Sequence, residues 1–183
     1  MTRRIVTVFL LTLLMASPLL SQELLEDRNV EIRIFSEAPL ENIEALTNTG
    51  RSVFNKATGE VFFEVSIISF DFDKKLMKRH FNEQYMESDK FPKATFTGYL
   101  RSSSTGSFNL FAEEFVAQGD LTIHGITRKV TEKARLRVDN NKVSGYASFK
   151  VKTVDYGIKI PSILTRNIAE EIEITINVNY GDK

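Results

Sequence analysis

Two histidines bound the chemistry that this chain could perform. His80 and Glu83 stand three residues apart, a spacing that on a helix turns an imidazole and a carboxylate to one face, as in zinc and di-iron sites. The second histidine, His124, lies far along the chain, so a metal site would need the fold to bring it and a further carboxylate to that face. Hydrogen bonding between a helix and a loop needs no such convergence and is the preferred reading. Acid–base pairs could be drawn from Glu113 and Glu114, or from Glu170, Glu171 and Glu173. Alternation along the chain points Glu171 and Glu173 away from the apolar side, which makes them a solvated strand face. Nucleophilic catalysis lacks its parts, because there is no Cys, no Gly-x-Ser-x-Gly elbow and no Ser set beside a His and an Asp. A glycine-rich phosphate loop is also missing. No catalytic residue and no metal ligand is therefore assigned. Side chains suited to binding are more plentiful: Met77, Phe81, Tyr85, Met86 and Phe91 cluster flexible and aromatic groups that could plug a cavity or gate it. Lys78 and Arg79 beside them could pair with a head group, although cations on a helix are usually only solvated.

The elements that must position these residues follow a period of two, the mark of strands with one apolar face. Val61, Phe63, Val65 and Ile67 alternate with Glu60, Phe62, Glu64 and Ser66, Phe62 being the one break. Phe115, Ala117, Gly119, Leu121 and Ile123 form one side of a long strand. Ala134, Leu136 and Val138 form another, as do Val143, Gly145, Ala147, Phe149 and Val151, and lastly Ile172, Ile174, Ile176 and Val178. Earlier strands are expected over Val30–Phe35, Ile43–Leu46 and Ser52–Asn55, and a further one over Ala94–Leu100. The turn signals His124-Gly125, Asp139-Asn140-Asn141 and the loop 102–106 join neighbours as hairpins. Eight or nine strands in such a meander favour closure into a barrel. One helix interrupts it: Leu76, Met77, Phe81 and Tyr85 repeat at helical spacing within 74–86, Asp73 is placed to cap its start, and Phe91-Pro92 to stop it. The segment 155–169, with Tyr156, Ile158, Ile160, Pro161, Ile163 and Leu164, is too apolar for a linker and is expected over a barrel end.

A barrel of about eight strands either fills its interior with side chains or holds one small ligand. Here several inward candidates are small, namely Ala94, Gly98, Ala117, Gly119, Gly145 and Ala147, and the large ones are mostly Phe, Ile and Val. Such a wall leaves room for an apolar guest, which gains roughly 0.8 kcal/mol per buried CH₂ without any directed polar contact.

Composition agrees with one globular domain: 183 residues, 42% hydrophobic and 26% charged, with 24 basic against 24 acidic side chains. That balance argues against nucleic acid, which needs a basic face. The absence of Cys removes disulfides and thiolate clusters. Residues 1–21 read as a cleaved export leader, with Arg3 and Arg4 before the apolar run Ile5–Met15 and a cleavage region ending at Ser21. The run is too short to span a bilayer, which takes about 20 residues. A barrel domain over 22–183, periplasmic or secreted, is expected to follow.

Two blocks and a shorter third carry a family resemblance. Residues 76–96, with Ser88, Asp89, Phe91 and Pro92 between a helix and a strand, resemble the signature of the bacterial YceI-like family. Gly119–Val130 resembles its Gly-x-Leu-Thr-Ile-His-Gly-Val-Thr-Lys-x-Val hairpin, and Asp155–Ile158 its Asp-Phe-Gly-Ile segment. The match covers roughly residues 55–180. The resemblance implies an all-β, lipocalin-like antiparallel β-barrel of about eight strands with one short helix inserted. It also implies a polyisoprenoid, an isoprenoid quinone or a fatty-acid derivative in the lumen, with no further cofactor. Val61, Phe63, Val65, Met77, Phe81, Tyr85, Phe91, Phe96, Phe115, Ala117, Leu121, Leu136, Ala147, Phe149 and Ile158 are the expected ligand-binding residues. Partners would be an apolar lipid and no nucleic acid, with no membrane span left after cleavage; a homodimer is compatible with the sequence. A ligand-free envelope protein and, behind it, a metal-dependent lipid-modifying enzyme are the competing readings.

Overall fold

The period-2 segments become strands of one sheet that closes on itself. The computed structural model of the chain describes residues 24–37, 42–112, 114–140, 142–160 and 169–181. The expected leader, Glu113, Asn141, Pro161, Ile163 and Leu164 lie outside these residues. The elements are β1 (Leu24–Ser36), β2 (Ile43–Asn55), β3 (Glu60–Ser66), β4 (Asp71–Phe72), α1 (Lys75–His80), β5 (Lys93–Ser102), β6 (Phe115–Ile123), β7 (Ile126–Asp139), β8 (Lys142–Lys152) and β9 (Glu171–Tyr180). The strand order is β1-β9-β8-β7-β6-β5-β3-β2, and β1 also pairs with β2, so eight antiparallel strands make a closed barrel. The two-residue β4 sits beside the start of β2.

Two stretches expected as separate strands, Ile43–Leu46 and Ser52–Asn55, are one thirteen-residue strand. Polar residues between them hide the continuity. Thr47 faces inward, yet its hydroxyl bonds the hydroxyls of Thr49 (3.0 Å) and Ser69 (2.9 Å), so its burial leaves nothing unpaired. Closure of β1 on β2 passes through register shifts around Val30. There Asp27 accepts the backbone N–H groups of Asn29 and Asn179, both at 2.8 Å, tying the irregular strand to β9.

The hairpin turn at His124-Gly125 takes φ of 51° and 73°, two left-handed residues in succession, the geometry that matches strand twist and that Gly125 accepts without strain. Gly98 and Gly119 face each other across β5 and β6. A Cβ on Gly119 would lie 2.3 Å from the Thr97 carbonyl oxygen, so both glycines serve the close approach of two backbones. The sequence places them among the residues that enlarge the lumen, yet neither borders either of its two chambers.

The helix is shorter than its apolar spacing predicts. α1 ends at His80, the chain continues as a wider π turn over Phe81–Tyr85, and Glu87 at φ 41° ends it before Phe91-Pro92. Asp73 does not cap it; Lys74 holds that position, with no side-chain bond to the helix start. Outer faces carry the charges, as in the paired Arg33–Glu44, Lys93–Glu64 and Lys129–Asp120. Among the described residues no helix is long and apolar enough to cross a membrane.

Candidate functional site: the apolar lumen

The two barrel ends are built differently. At one end Phe54 stacks on Tyr180 (centroids 5.5 Å) and meets Phe108 edge-on (5.9 Å), while Phe108 tilts against Phe115 (6.2 Å). Phe54 and Phe115 are fully buried there, so this end is a packed plug. The Tyr180 hydroxyl bonds Ser52 Oγ at 2.5 Å, and Ser52 in turn donates to the Phe62 carbonyl oxygen at 3.0 Å. Burial pushes the Tyr180 phenol well above its ordinary value. At the other end the π turn aims Phe81, Tyr85 and Met86 into the barrel, with Phe81 against Phe70 (5.9 Å) and Phe72 (5.0 Å).

Between the plug and the helix lie two cavities. The larger, about 200 Å³, lies next to the helix and is walled mainly by Ile, Val and Phe, including Ile32, Ile34, Phe70, Ile123, Val151 and Ile172. The smaller, about 80 Å³, lies deeper toward the plug, along Val61, Leu100, Ala117, Leu136, Gly145 and Ala147. Phe63, Phe96, Leu121, Phe149 and Ile176 border both and form a belt between them. Phe63, Phe96 and Leu121 are cross-strand neighbours on β3, β5 and β6, so register sets three of the five members of this belt. The exposed lining of both chambers is almost wholly apolar. Such a wall can strip water from a hydrocarbon chain.

Polar groups are few at this lumen. Tyr85 and Tyr156 border the larger chamber, and burial raises both phenols above their ordinary value. Glu132 borders the smaller one, with its carboxyl raised by burial. His124 is engaged elsewhere: Nδ1 meets the Tyr156 carbonyl oxygen at 3.1 Å and Nε2 meets Glu87 at 3.2 Å. Its ring also packs on Phe91 (4.4 Å between centroids). The hydrogen-bonding role expected for histidine falls to this residue, which joins the segment after the helix to the 153–156 turn. Among the described residues no three His, Asp or Glu side chains gather as a metal centre would require.

The YceI-like domain model matches residues 37–180, most of the chain. The chain belongs to the YceI-like family. Among solved structures, this YceI-like chain is similar to BcnA of Burkholderia cenocepacia, at 16% identity and TM-score 0.72 over 83% of this chain and 96% of that one. It is also similar to a polyisoprenoid binding domain from Saccharophagus degradans implicated in plant cell wall breakdown, at 11% identity and TM-score 0.71 over 87% and 98%. A YceI protein of Campylobacter jejuni aligns at 18% identity and TM-score 0.56 over 71% and 78%. At these identities the likeness establishes the shared barrel. No curated protein matches the sequence.

Within this YceI-like barrel, Phe63, Val65, Phe81, Tyr85, Phe96, Leu121, Phe149 and Ile158 border the larger cavity, and Val61, Ala117, Leu136 and Ala147 the smaller. Three expected residues lie elsewhere. Phe115 belongs to the plug, Phe91 covers His124 and Gly125, and Met77 sits on α1 without reaching either cavity. Phe115 has the right parity but sits at the start of β6, and parity carries no information on depth along the barrel axis. Lys78 is bonded to Asp71 at 2.5 Å, outside the cavity lining. The reading from sequence missed Ile32, Ile34 and Ile43 of β1 and β2 and the lone aromatics Phe70 and Phe72. A strand is expected over Val30–Phe35, and the alternation of Val30, Ile32 and Ile34 along it carries the signal that puts Ile32 and Ile34 in the lining; Phe70 and Phe72 lie before and within a two-residue strand too short for any periodic signal.

Proposed function

We propose that this protein is an exported carrier that holds a long apolar chain in its barrel lumen and performs no chemistry on it. The observation that carries this reading is the pair of adjoining chambers whose exposed walls are almost wholly apolar. A hydrocarbon entering them gains roughly 0.8 kcal/mol per CH₂ transferred from water. The polyisoprenoid binding domain named above supports the choice of guest, which we take to be a polyisoprenoid, an isoprenoid quinone or a fatty-acid derivative. The leader-like residues 1–21 support a periplasmic or secreted site of action, where such chains need a carrier between membranes.

The test is mass spectrometry of an organic extract from protein purified out of its native envelope, with Ala147→Trp as the matched control. Ala147 borders the smaller chamber, so an indole there fills space a guest would occupy. A stoichiometric isoprenoid, quinone or fatty-acyl species in the parent, much reduced in the folded variant, supports the carrier. A stable barrel that arrives empty and refuses added prenols and fatty acids moves the assignment to a ligand-free interaction protein.

A further inference from the structure

The barrel wall is not hydrogen-bonded all the way round. β7 stays paired with β6 down to Ile126, and β8 with β9 as far as Lys152. The ladder between β7 and β8, however, runs only from Asp139–Lys142 to Ala134–Ala147. Beyond that pair the ladder between the two strands stops and leaves a slit, along which their facing backbone groups have no partner from the opposite strand. Toward the helix end the slit is bridged where Arg128 Nε donates to the Asp155 carbonyl oxygen at 3.0 Å. The smaller cavity reaches this slit, since Val130, Glu132 and Ala134 border it from one side and Ala147 and Phe149 from the other.

Alternation with Val130 and Ala134 puts Glu132 on the inner face of β7, and among the described residues its carboxyl has no hydrogen-bond or ion-pair partner. Arg135 also borders the cavity, but its alternation with Ala134 and Leu136 puts its side chain on the outer face. The slit is thus a gap in the backbone ladder of the wall, with one unpaired carboxyl beside a chamber whose exposed lining is otherwise almost wholly apolar. Polar groups so placed seek a partner.

We propose that the polar end of the guest sits in the β7–β8 slit beside Glu132, and that this end is an uncharged group able to donate a hydrogen bond, a hydroxyl in the simplest case. The carboxyl accepts from a hydroxyl and repels a carboxylate or phosphate of like charge. The chain then runs sideways from the slit into the lumen. This inference rests on the carrier reading and names its head-group class and entry point.

Calorimetric titration of the full chain with farnesol and with farnesyl diphosphate tests it. The parent should bind the alcohol about tenfold or more tightly than the diphosphate. Glu132→Gln should erode that preference and Glu132→Lys should reverse it, with circular dichroism reporting an intact barrel. The chain has no Cys, so the double variant Lys133→Cys with Ser148→Cys supplies one clean disulfide across the slit, at the pair next after Ala134–Ala147. When oxidised it should slow farnesol uptake by about tenfold or more, and reductant should restore the rate. Parent protein that takes up neither probe overturns the carrier reading and the slit site with it. Uptake of both, at a ratio that Glu132→Lys leaves unchanged, overturns the slit site alone.

Discussion

Removing the Phe149 ring should merge the two chambers and lengthen the chain that the barrel prefers. Phe149 is one of five side chains bordering both cavities, and it faces the Phe63–Phe96–Leu121 row from β8. Phe→Ala in a core costs about 3–5 kcal/mol. The ring already borders empty space on two sides, so the low end, about 3 kcal/mol, applies. For a chain of this size that lowers Tm by about 6–12 °C. The merged lumen also admits more of a guest. Each added carbon contributes up to about 0.8 kcal/mol, so one further isoprene unit of five carbons is worth up to about 4 kcal/mol, close to a thousandfold in Kd before ordering costs. The assay is Kd across a series of prenols of increasing length for the parent and Phe149→Ala, with melting curves of each complex. The parent's gain per unit should level off at a shorter chain than the variant's. A guest at about 100 times its Kd should return roughly 2.7 kcal/mol of the variant's lost stability. The same optimum length in both proteins would refute the belt as the partition of the lumen.

Three further outcomes follow from the packing and the ionisable groups. Gly119→Ala would set a Cβ 2.3 Å from the Thr97 carbonyl oxygen and 2.6 Å from the Gly98 Cα; parting β5 from β6 should cost about 3 kcal/mol and lower the urea midpoint by about 1 M or more. Ser52→Ala strands the buried Tyr180 hydroxyl and should cost about 1–3 kcal/mol, whereas Tyr180→Phe leaves Ser52 donating to the Phe62 carbonyl oxygen and should cost about 1 kcal/mol. Equal losses in chemical denaturation would contradict that bonding order. Burial raises the Glu132 carboxyl above its ordinary 4.5, so the native state holds this proton to higher pH than the unfolded chain does. Its contribution is therefore most favourable below 4.5 and is lost as pH rises through the raised value, so Glu132→Gln should gain on the parent across that window. A melting-temperature difference that stays flat with pH would count against burial as the cause.

Much of the barrel is legible locally, because a strand with one face on a core must alternate. β6 spans the predicted Phe115–Ile123, β9 carries the predicted Ile172, Ile174, Ile176 and Val178 inward, and Glu171 and Glu173 stand opposite Lys152 and Lys150 on the outer ladder. The left-handed pair His124-Gly125 likewise follows from residue type, since a two-residue turn of this twist needs residues that tolerate positive φ. The lumen is legible as a face, and twelve of the fifteen expected residues border it.

Depth along that face is another matter. Phe115 and Phe149 have the same inward parity and the same side chain, yet one is packed in the plug and the other borders both chambers. What separates them is the stagger of neighbouring strands, set by β1 closing on both β2 and β9 across most of the chain. Gly98 and Gly119 look like spacers in a wall until register places them opposite each other. The parting of β7 from β8 beyond Ala134–Ala147 leaves no trace in either strand's alternation. Which residues face inward can be read from the order of amino acids, because side-chain direction alternates residue by residue. How deep each residue lies and where the wall opens emerge with the assembled barrel, because those depend on hydrogen-bond register between strands that no local pattern encodes.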